Sequence, residues 1–238
     1  MKYLIDLHVH SNVSTHAYST LNELIQTAKD KKLLGFALTN HGSMAPDSPH
    51  DYHFGNLKIF DKYINGIRLF KGIEANIISE NGDTDLPKKY YDLIEIKLCG
   101  FHKGTPYGDG KNIEKNTIAL INAIKNKELT IISHLGNPSY KVHYEEVIKI
   151  ASEYNVAIEF NNSSLTTSRL GSEKNCYEIA ELCKKYNTFI SLGSDAHHSS
   201  FLGNFQEVYK IINKVNLNTK MIINTSINKV EEFINLHK

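Results

Sequence analysis

Short apolar, β-branched runs alternate with amphipathic helical stretches along almost the whole chain, and this alternation restricts the fold more than any other feature. The runs Tyr3–His8, Gly35–Thr39, Arg68–Ala75, Leu93–Gly100, Thr130–Ser133, Val156–Phe160 and Thr188–Gly193 read as strands. Between them, apolar residues recur at helical spacing near Thr20–Lys32, Asn56–Ile64, Asn112–Lys125, Tyr144–Tyr154 and Glu173–Tyr186. Two more helices close the chain near Asn204–Asn213 and Ile227–Leu236, the second with Thr225 or Ser226 as N-cap. Strands joined through right-handed helical crossovers pair in parallel. At 238 residues a closed or nearly closed barrel is the economical solution, with an open doubly wound sheet as the alternative. No linker, repeat or low-complexity segment divides residues 1–238, so one domain is predicted.

The strand ends carry the chemistry. The first strand delivers Asp6, His8 and His10, which strand periodicity places on one face, with His16 shortly after. The second ends in Asn40-His41-Gly42, the third in Glu74-Ala75-Asn76, the fourth in Gly100-Phe101-His102. The fifth ends in Ser133-His134, and the seventh in Ser194-Asp195-Ala196-His197. In a parallel barrel these ends share one rim, where active sites are built. Setting Asp6 aside, nine imidazoles and carboxylates exceed the three or four ligands of one tetrahedral ion, so the pattern implies two or three ions. Glu74, besides Asp195 the only acidic residue at a strand end, could bridge a pair. Zinc is the first expectation because imidazole dominates; iron or manganese also fits a mixed His/carboxylate set.

Composition narrows the partners. A net charge of +1 gives no footprint for duplex nucleic acid or an anionic membrane. The lysine clusters at 29–32, 88–89 and 184–185 read as solvated faces. Arginine occurs only at Arg68 and Arg169, so each is expected to have a specific use. Cys99, Cys176 and Cys183 make no disulfide framework, which suggests a reducing compartment and buried thiols. With no targeting segment and no long apolar run, a cytoplasmic location without membrane contact is expected.

Together Asp6-Leu7-His8-Val9-His10-Ser11, His16, Asn40-His41-Gly42, Gly72-Ile73-Glu74-Ala75-Asn76, Ser133-His134 and Ser194-Asp195-Ala196-His197 resemble the PHP (polymerase and histidinol phosphatase) superfamily. Gly100-Phe101-His102, Gly136-Asn137-Pro138, Glu159-Phe160-Asn161-Asn162-Ser163-Ser164 and Ser168-Arg169-Leu170-Gly171-Ser172-Glu173 look like its YcdX-type phosphatase branch. The resemblance spans essentially the whole chain, with the motifs in family order. It implies a distorted (β/α)7 TIM-like barrel, the PHP fold, with its active site at the C-terminal ends of the strands. It implies three divalent metal ions. The first would be held by His8, His10, Glu74 and Asp195, the second by Glu74, His102 and His134, and the third by His16, His41 and His197. One position departs from the family: Asn40 stands where Asp is usual. That Asp would accept a proton from a ligand imidazole or shape the site, and its loss is expected to weaken the third site about 10–100-fold.

The implied activity is metal-dependent hydrolysis of a small phosphomonoester by a metal-bridging hydroxide. Glu74 and Arg169 are the catalytic candidates, Arg169 because a guanidinium fork suits phosphate. Glu159, Asn161 and Asn162 are candidates for substrate or supporting contacts. His50 and His53, on an irregular rim loop, are candidates to meet substrate, while His143, His198 and His237 match no ligand role. A phosphodiesterase or exonuclease of the PHP type is the alternative, and a non-catalytic metal-binding regulatory module a third reading. The partner is then a small phosphorylated substrate rather than nucleic acid, and assembly as a homo-oligomer stays open.

Overall fold

The computed structural model describes residues 3–238. Its strands are β1 (Ile5–Val9), β2 (Gly35–Leu38), β3 (Tyr63–Ile64), β4 (Ile67–Asn76), β5 (Ile96–Gly100), β6 (Ile131–Ile132), β7 (Ala157–Asn161) and β8 (Ile190–Gly193). The helices are α1 (Leu21–Asp30), α2 (Tyr52–Asn56), α3 (Ile113–Lys125), α4 (Tyr144–Glu153), α5 (Ser172–Tyr186), α6 (Gln206–Val215) and α7 (Ile227–Asn235). Local chemistry sets the helix ends. Thr20 and Glu23 form a capping box on α1, Asn112 caps α3, and Ser226 caps α7, each contributing about 1 kcal/mol.

The sheet runs β1-β2-β4-β5-β6-β7-β8, every neighbouring pair parallel. Its two edges then meet. Near the strands' C-terminal ends, His10 N donates to Ala196 O and Asp195 N to His8 O, both at 2.9 Å. Towards the other end the buried Asn224 amide fills the seam. Its Nδ2 donates to Ile5 O (2.9 Å) and Leu192 O (2.8 Å), and its Oδ1 accepts from Leu192 N (2.8 Å). The result is a nearly closed barrel rather than an open sheet.

Two expectations need correction. The helix expected over Asn56–Ile64 does not form: α2 ends at Asn56, one 3-10 turn covers Leu57–Ile59, and the chain returns as β3, antiparallel to β4. Asn65 (φ 51°) and Gly66 (φ 83°) are both left-handed, as a two-residue hairpin turn requires. The Asn-Gly pair between apolar flanks is the sequence signal for that hairpin.

Strand periodicity also fails in β1. Asp6 pairs with Phe36 but Val9 with Leu38, so β1 carries one extra residue, a β-bulge. Before it, Ile5 and Leu7 pack inside the barrel with Ala37, Phe70, Leu98 and Ala157. After it, Val9 packs outward with the helices, which turns His8 and His10 inward. Asp6 therefore does not share a face with the two histidines. Its carboxylate instead accepts from Ser194 N, Ser194 Oγ and Gly203 N, at 3.0, 2.5 and 2.8 Å.

Val230, Phe233 and Ile234 of α7 close the lower end of the barrel. Arg68 is structural. Buried against the Phe70 ring (4.1 Å), it pairs with Glu95 (2.5 Å) and with Glu231 of α7 (3.2 Å). All three cysteines are buried and free. Among the described residues no helix is long and apolar enough to cross a membrane.

Asn224→Ala leaves three seam groups unpaired and is expected to lower stability by about 3 kcal/mol, read from urea denaturation of the metal-free protein. A loss within ±0.5 kcal/mol would mean that water seals the seam equally well.

Candidate metal centre

Glu74, near the C-terminal end of β4, is fully buried, and its carboxylate gathers imidazoles from four other segments. Oε1 lies 2.8 Å from His134 Nε2 and 3.1 Å from His102 Nε2. Oε2 lies 3.1 Å from His8 Nε2, 3.3 Å from His10 Nε2 and 3.3 Å from His41 Nδ1. Asp195 Oδ1 stands 3.5 and 3.3 Å from the Nε2 atoms of His8 and His10.

These contacts have the character of an ion's ligand shell. The Nε2 atoms of His8 and His10 are 3.0 Å apart, as are those of His102 and His134. Two nitrogens on one tetrahedral zinc would be separated by about 3.3 Å. Among the described residues, Glu74 Oε2 and Asp195 Oδ1 are buried yet make no hydrogen bond, and the same holds for His10 Nδ1, His41 Nδ1 and His197 Nε2. Unpaired buried acceptors of this kind are costly unless a cation satisfies them.

Neighbours fix the ring orientations. Glu159 on β7 meets His8 Nδ1 at 2.6 Å and accepts from His134 N at 2.8 Å. A proton on His8 Nδ1 leaves Nε2 as the donor atom facing Glu74. Gly193 makes room for this, because a Cβ there would stand 2.1 Å from Glu159 Oε1 and 2.6 Å from His8 Cβ. Asn161 Nδ2 supports Asp195 Oδ2 at 3.2 Å. His134 (φ 33°) and Asp195 (φ 55°) both hold left-handed backbone, strained for residues with a Cβ, and both sit just past strand ends.

Burial and charge are in tension throughout. Burial opposes ionisation of Glu74, yet His8, His102 and His41 hold its carboxyl well below the usual range. Asp195 is likewise held low against burial, by His8, His10 and Arg169. Burial, with Arg169 nearby, pushes His134 down to about 4. Burial, with His10 nearby, does the same to His197. His8 goes the other way: burial lowers it, but the Glu159, Glu74 and Asp195 carboxylates together raise it well above 6.5.

A family profile described as PHP domain matches residues 6–215. The chain belongs to the PHP domain family. A probable phosphatase of Proteus mirabilis (strain HI4320) is 43% identical, over 99% of this chain and 95% of its own. A probable phosphatase of Thermoanaerobacter sp. (strain X514) is 40% identical, over 98% of this chain and 95% of its own. Among solved structures, a histidinol phosphate phosphatase from Lactococcus lactis, complexed with Zn, L-histidinol and phosphate, superposes with TM-score 0.67. That match has 14% identity and covers 92% of this chain and 95% of the other, a likeness of fold alone.

In this PHP domain the expected donors fall into an inner and an outer group. His8, His10, Glu74 and Asp195 offer atoms that all lie within 4.8 Å of one another. Glu74, His102 and His134 converge beside them. The outer residues divide differently from the expected trio: His16 and His41 group with Asp47, while His197 groups with His10 and His41. Asp47 had no strand-end signal to mark it, because it lies within the irregular loop after β2.

Arg169 lies on the loop before α5 and enters the same site. Its Nη1 contacts Asp195 Oδ2 (3.0 Å), Ser168 Oγ (2.9 Å) and Ser164 Oγ (3.2 Å). A cavity of about 540 Å³ opens above, walled by His41, His102, Arg169, Asp195, His197 and Thr167 among others.

Of the other candidates, Asn162 stands on the cavity wall. Asn162 Oδ1 accepts from Glu207 N (2.9 Å) at the start of α6. His50 and His53 do not line the cavity. His198 bonds Ser200 and His143 bonds Glu114, both on the surface, and His237 packs against Phe233.

Among the described residues Asn40 makes no side-chain hydrogen bond to an expected ligand imidazole. Its Oδ1 accepts from Ser11 N at 2.9 Å and from Ser14 Oγ at 3.3 Å, shaping the loop that carries His16. Its Nδ2 lies 3.1 Å from His53 Nε2, which must then accept. Burial pushes His53 down to about 4, so it is neutral in the fold. The unfolded chain takes up this proton near pH 6.5. The depressed value therefore favours the fold fully above about pH 6.5, and that contribution is lost as pH falls towards 4. Asn40→Asp replaces the amide donor with a carboxylate acceptor. It is expected to raise the His53 pKa above 6, read by NMR titration; a value still near 4 would show that the pair does not form.

Proposed function

We propose that this chain is a metal-dependent phosphatase hydrolysing small phosphomonoesters, with residues 1–238 acting as one domain. The observation that carries the reading is a free guanidinium edge beside a buried multi-donor cluster, in one cavity of ligand size. Arg169 Nη1 makes all the contacts that anchor the side chain, and among the described residues Nε and Nη2 have no hydrogen-bond partner. A phosphate oxygen pair suits that exposed edge. The cavity of about 540 Å³ suits a small ester.

The donors suit three divalent ions, zinc first. His8, His10, Glu74 and Asp195 would hold one, and Glu74, His102 and His134 a second. His16, His41 and His197 would contribute to a third, outer ion. Bound there, divalent ions supply Lewis-acid charge to the phosphoryl group and acidify water towards neutrality. Glu74 presents one oxygen to each side of the inner cluster, as a bridging carboxylate must. Glu159 keeps His8 in the ligating tautomer. Arg169 would bind the phosphoryl oxygens and neutralise the charge that develops on them, while Ser164, Ser168 and Asp195 keep its fork aimed inward.

The test is elemental analysis of protein purified without chelator, beside a panel of phosphomonoesters and phosphodiesters. At least two transition-metal ions per chain are expected, with monoesters preferred and activity lost on stripping. Preference for diesters or single-stranded nucleic acid would replace the monoesterase reading, and activity indifferent to stripping would sink it. Glu74→Ala should abolish turnover and lower metal content together. Arg169→Ala should cut kcat/KM about 100-fold with metal content unchanged; wild-type kinetics in that variant would remove Arg169 from the site.

A further inference from the structure

We propose that Asp47 is a further ligand of the outer ion, which thereby holds residues 45–50 of the loop after β2 against the cavity. The inference rests on the three-ion reading above and adds a residue and a consequence to it. Asp47 Oδ2 lies 2.6 Å from His16 Nδ1 and 3.8 Å from His41 Nε2. The three side chains offer donor atoms all within 4.8 Å of one another. Oδ2 is buried and makes no hydrogen bond of good geometry, the approach of His16 included. From the other side, His197 Nδ1 lies 3.0 Å from Asp195 O and can only donate there, which leaves Nε2 with its lone pair. That Nε2 is buried and unpartnered, and the His197 ring centroid lies 4.2 Å from that of His16. His16, His41 and Asp47 form one donor group, and His197, which shares His41 with it, would complete a tetrahedral set for a borderline-soft divalent ion with Asp47 as its one carboxylate.

The loop gives the ligand a consequence. Ala45, Pro46 and Asp47 form one wall of the cavity. Among the described residues, the hydrogen bond joining residues 45–50 to the rest of the barrel is Thr15 N to Asp47 O, at 2.9 Å. Residues 42–44 are held separately, by Gly42 N to Glu74 O (2.8 Å) and Met44 N to Asp85 Oδ2 (2.9 Å); beyond them the Asp47 side chain is the further polar tether, and it is directed at His16 and His41. An ion shared by these donors would join the loops after β1, β2 and β8.

The test measures metal content and loop protection, not turnover. Wild type should hold three ions per chain after dialysis against a weak chelator, and Asp47→Asn should hold two. Asp47→Ser, checked for wild-type far-UV circular dichroism, guards against a defect peculiar to the amide. Hydrogen exchange at residues 45–50 should rise in both variants to the level of metal-stripped wild type, while β4 and β5 stay protected. His16→Ala should reproduce both changes. Three ions retained in Asp47→Asn, two ions in wild type, or loop exchange indifferent to stripping would each overturn the proposal. Wild type with two ions that still hydrolyses monoesters would fail this inference and leave the phosphatase reading standing. An inert protein with three ions and an Asp47-dependent third would do the reverse.

Discussion

A buried carboxylate shared by five imidazoles sets the terms for the rest of this molecule. Glu74 is out of contact with water, and removing its charge from solvent costs several kcal/mol unless other groups replace the hydration. His8, His10, His41, His102 and His134 stand within 3.3 Å of its two oxygens. They come from the ends of β1, β2, β5 and β6, four separate strands. Only a parallel sheet curled on itself brings so many C-terminal strand ends to one point. The closure of the barrel is thus a condition of the site, and the β1–β8 seam, with Asn224 at one end and His8 and His10 at the other, is where both depend on the same hydrogen bonds.

A second layer makes the cluster specific. Glu159 spans His8 and the His134 backbone, and it reaches them because position 193 has no side chain. His134 and Asp195 keep left-handed backbone, each costing on the order of 1–3 kcal/mol. Such strain persists only where surrounding contacts over-determine the geometry. Here those contacts are the Glu159 bond to His134 N and the Asp195 N bond to His8 O. Both strained residues point donors at the cluster, so the backbone cost maintains the convergence of the centre.

Much of this was legible in the chain. The alternation of strands and helices gave the parallel barrel, and reading the strand ends located Glu74 and its five imidazoles. Three things escaped. Period-two logic placed Asp6 beside His8 and His10; the bulge between Asp6 and Val9 breaks that period, and a one-residue insertion leaves no mark in composition. The apolar run after Asn56 resembles a helix, while the Asn65-Gly66 turn makes it a hairpin. Asp47 belongs to an irregular loop with no periodicity to aim its side chain, so its approach to His16 is a tertiary fact alone. Asn40 shows the same limit from the other direction. Its identity could be read, but its partners Ser11, Ser14 and His53 depend on how two loops pack.

The inner and outer donors differ in the way they are held, and that difference has thermodynamic weight. His8, His10 and Glu74 have fully buried side chains on strands or directly past them. His16 is 52% exposed, His197 25% and Asp47 21%, all on loops. Donors already fixed by packing lose little freedom on binding an ion, whereas loop-borne donors must be ordered at the same moment, which subtracts from affinity. Charge works in the same direction. Two carboxylates, Glu74 and Asp195, face the inner space, while among the described residues Asp47 is the one carboxylate paired with His16 and shares His41 with Glu74. On the three-ion reading proposed above, an ion at the outer position would be the exchangeable one, and its occupancy would follow the order of the β2 loop. Since that loop also walls the cavity over Arg169, entry of a phosphate ester and retention of an outer ion would, on that reading, draw on the same few residues. The inner cluster, by contrast, is committed as soon as the barrel closes.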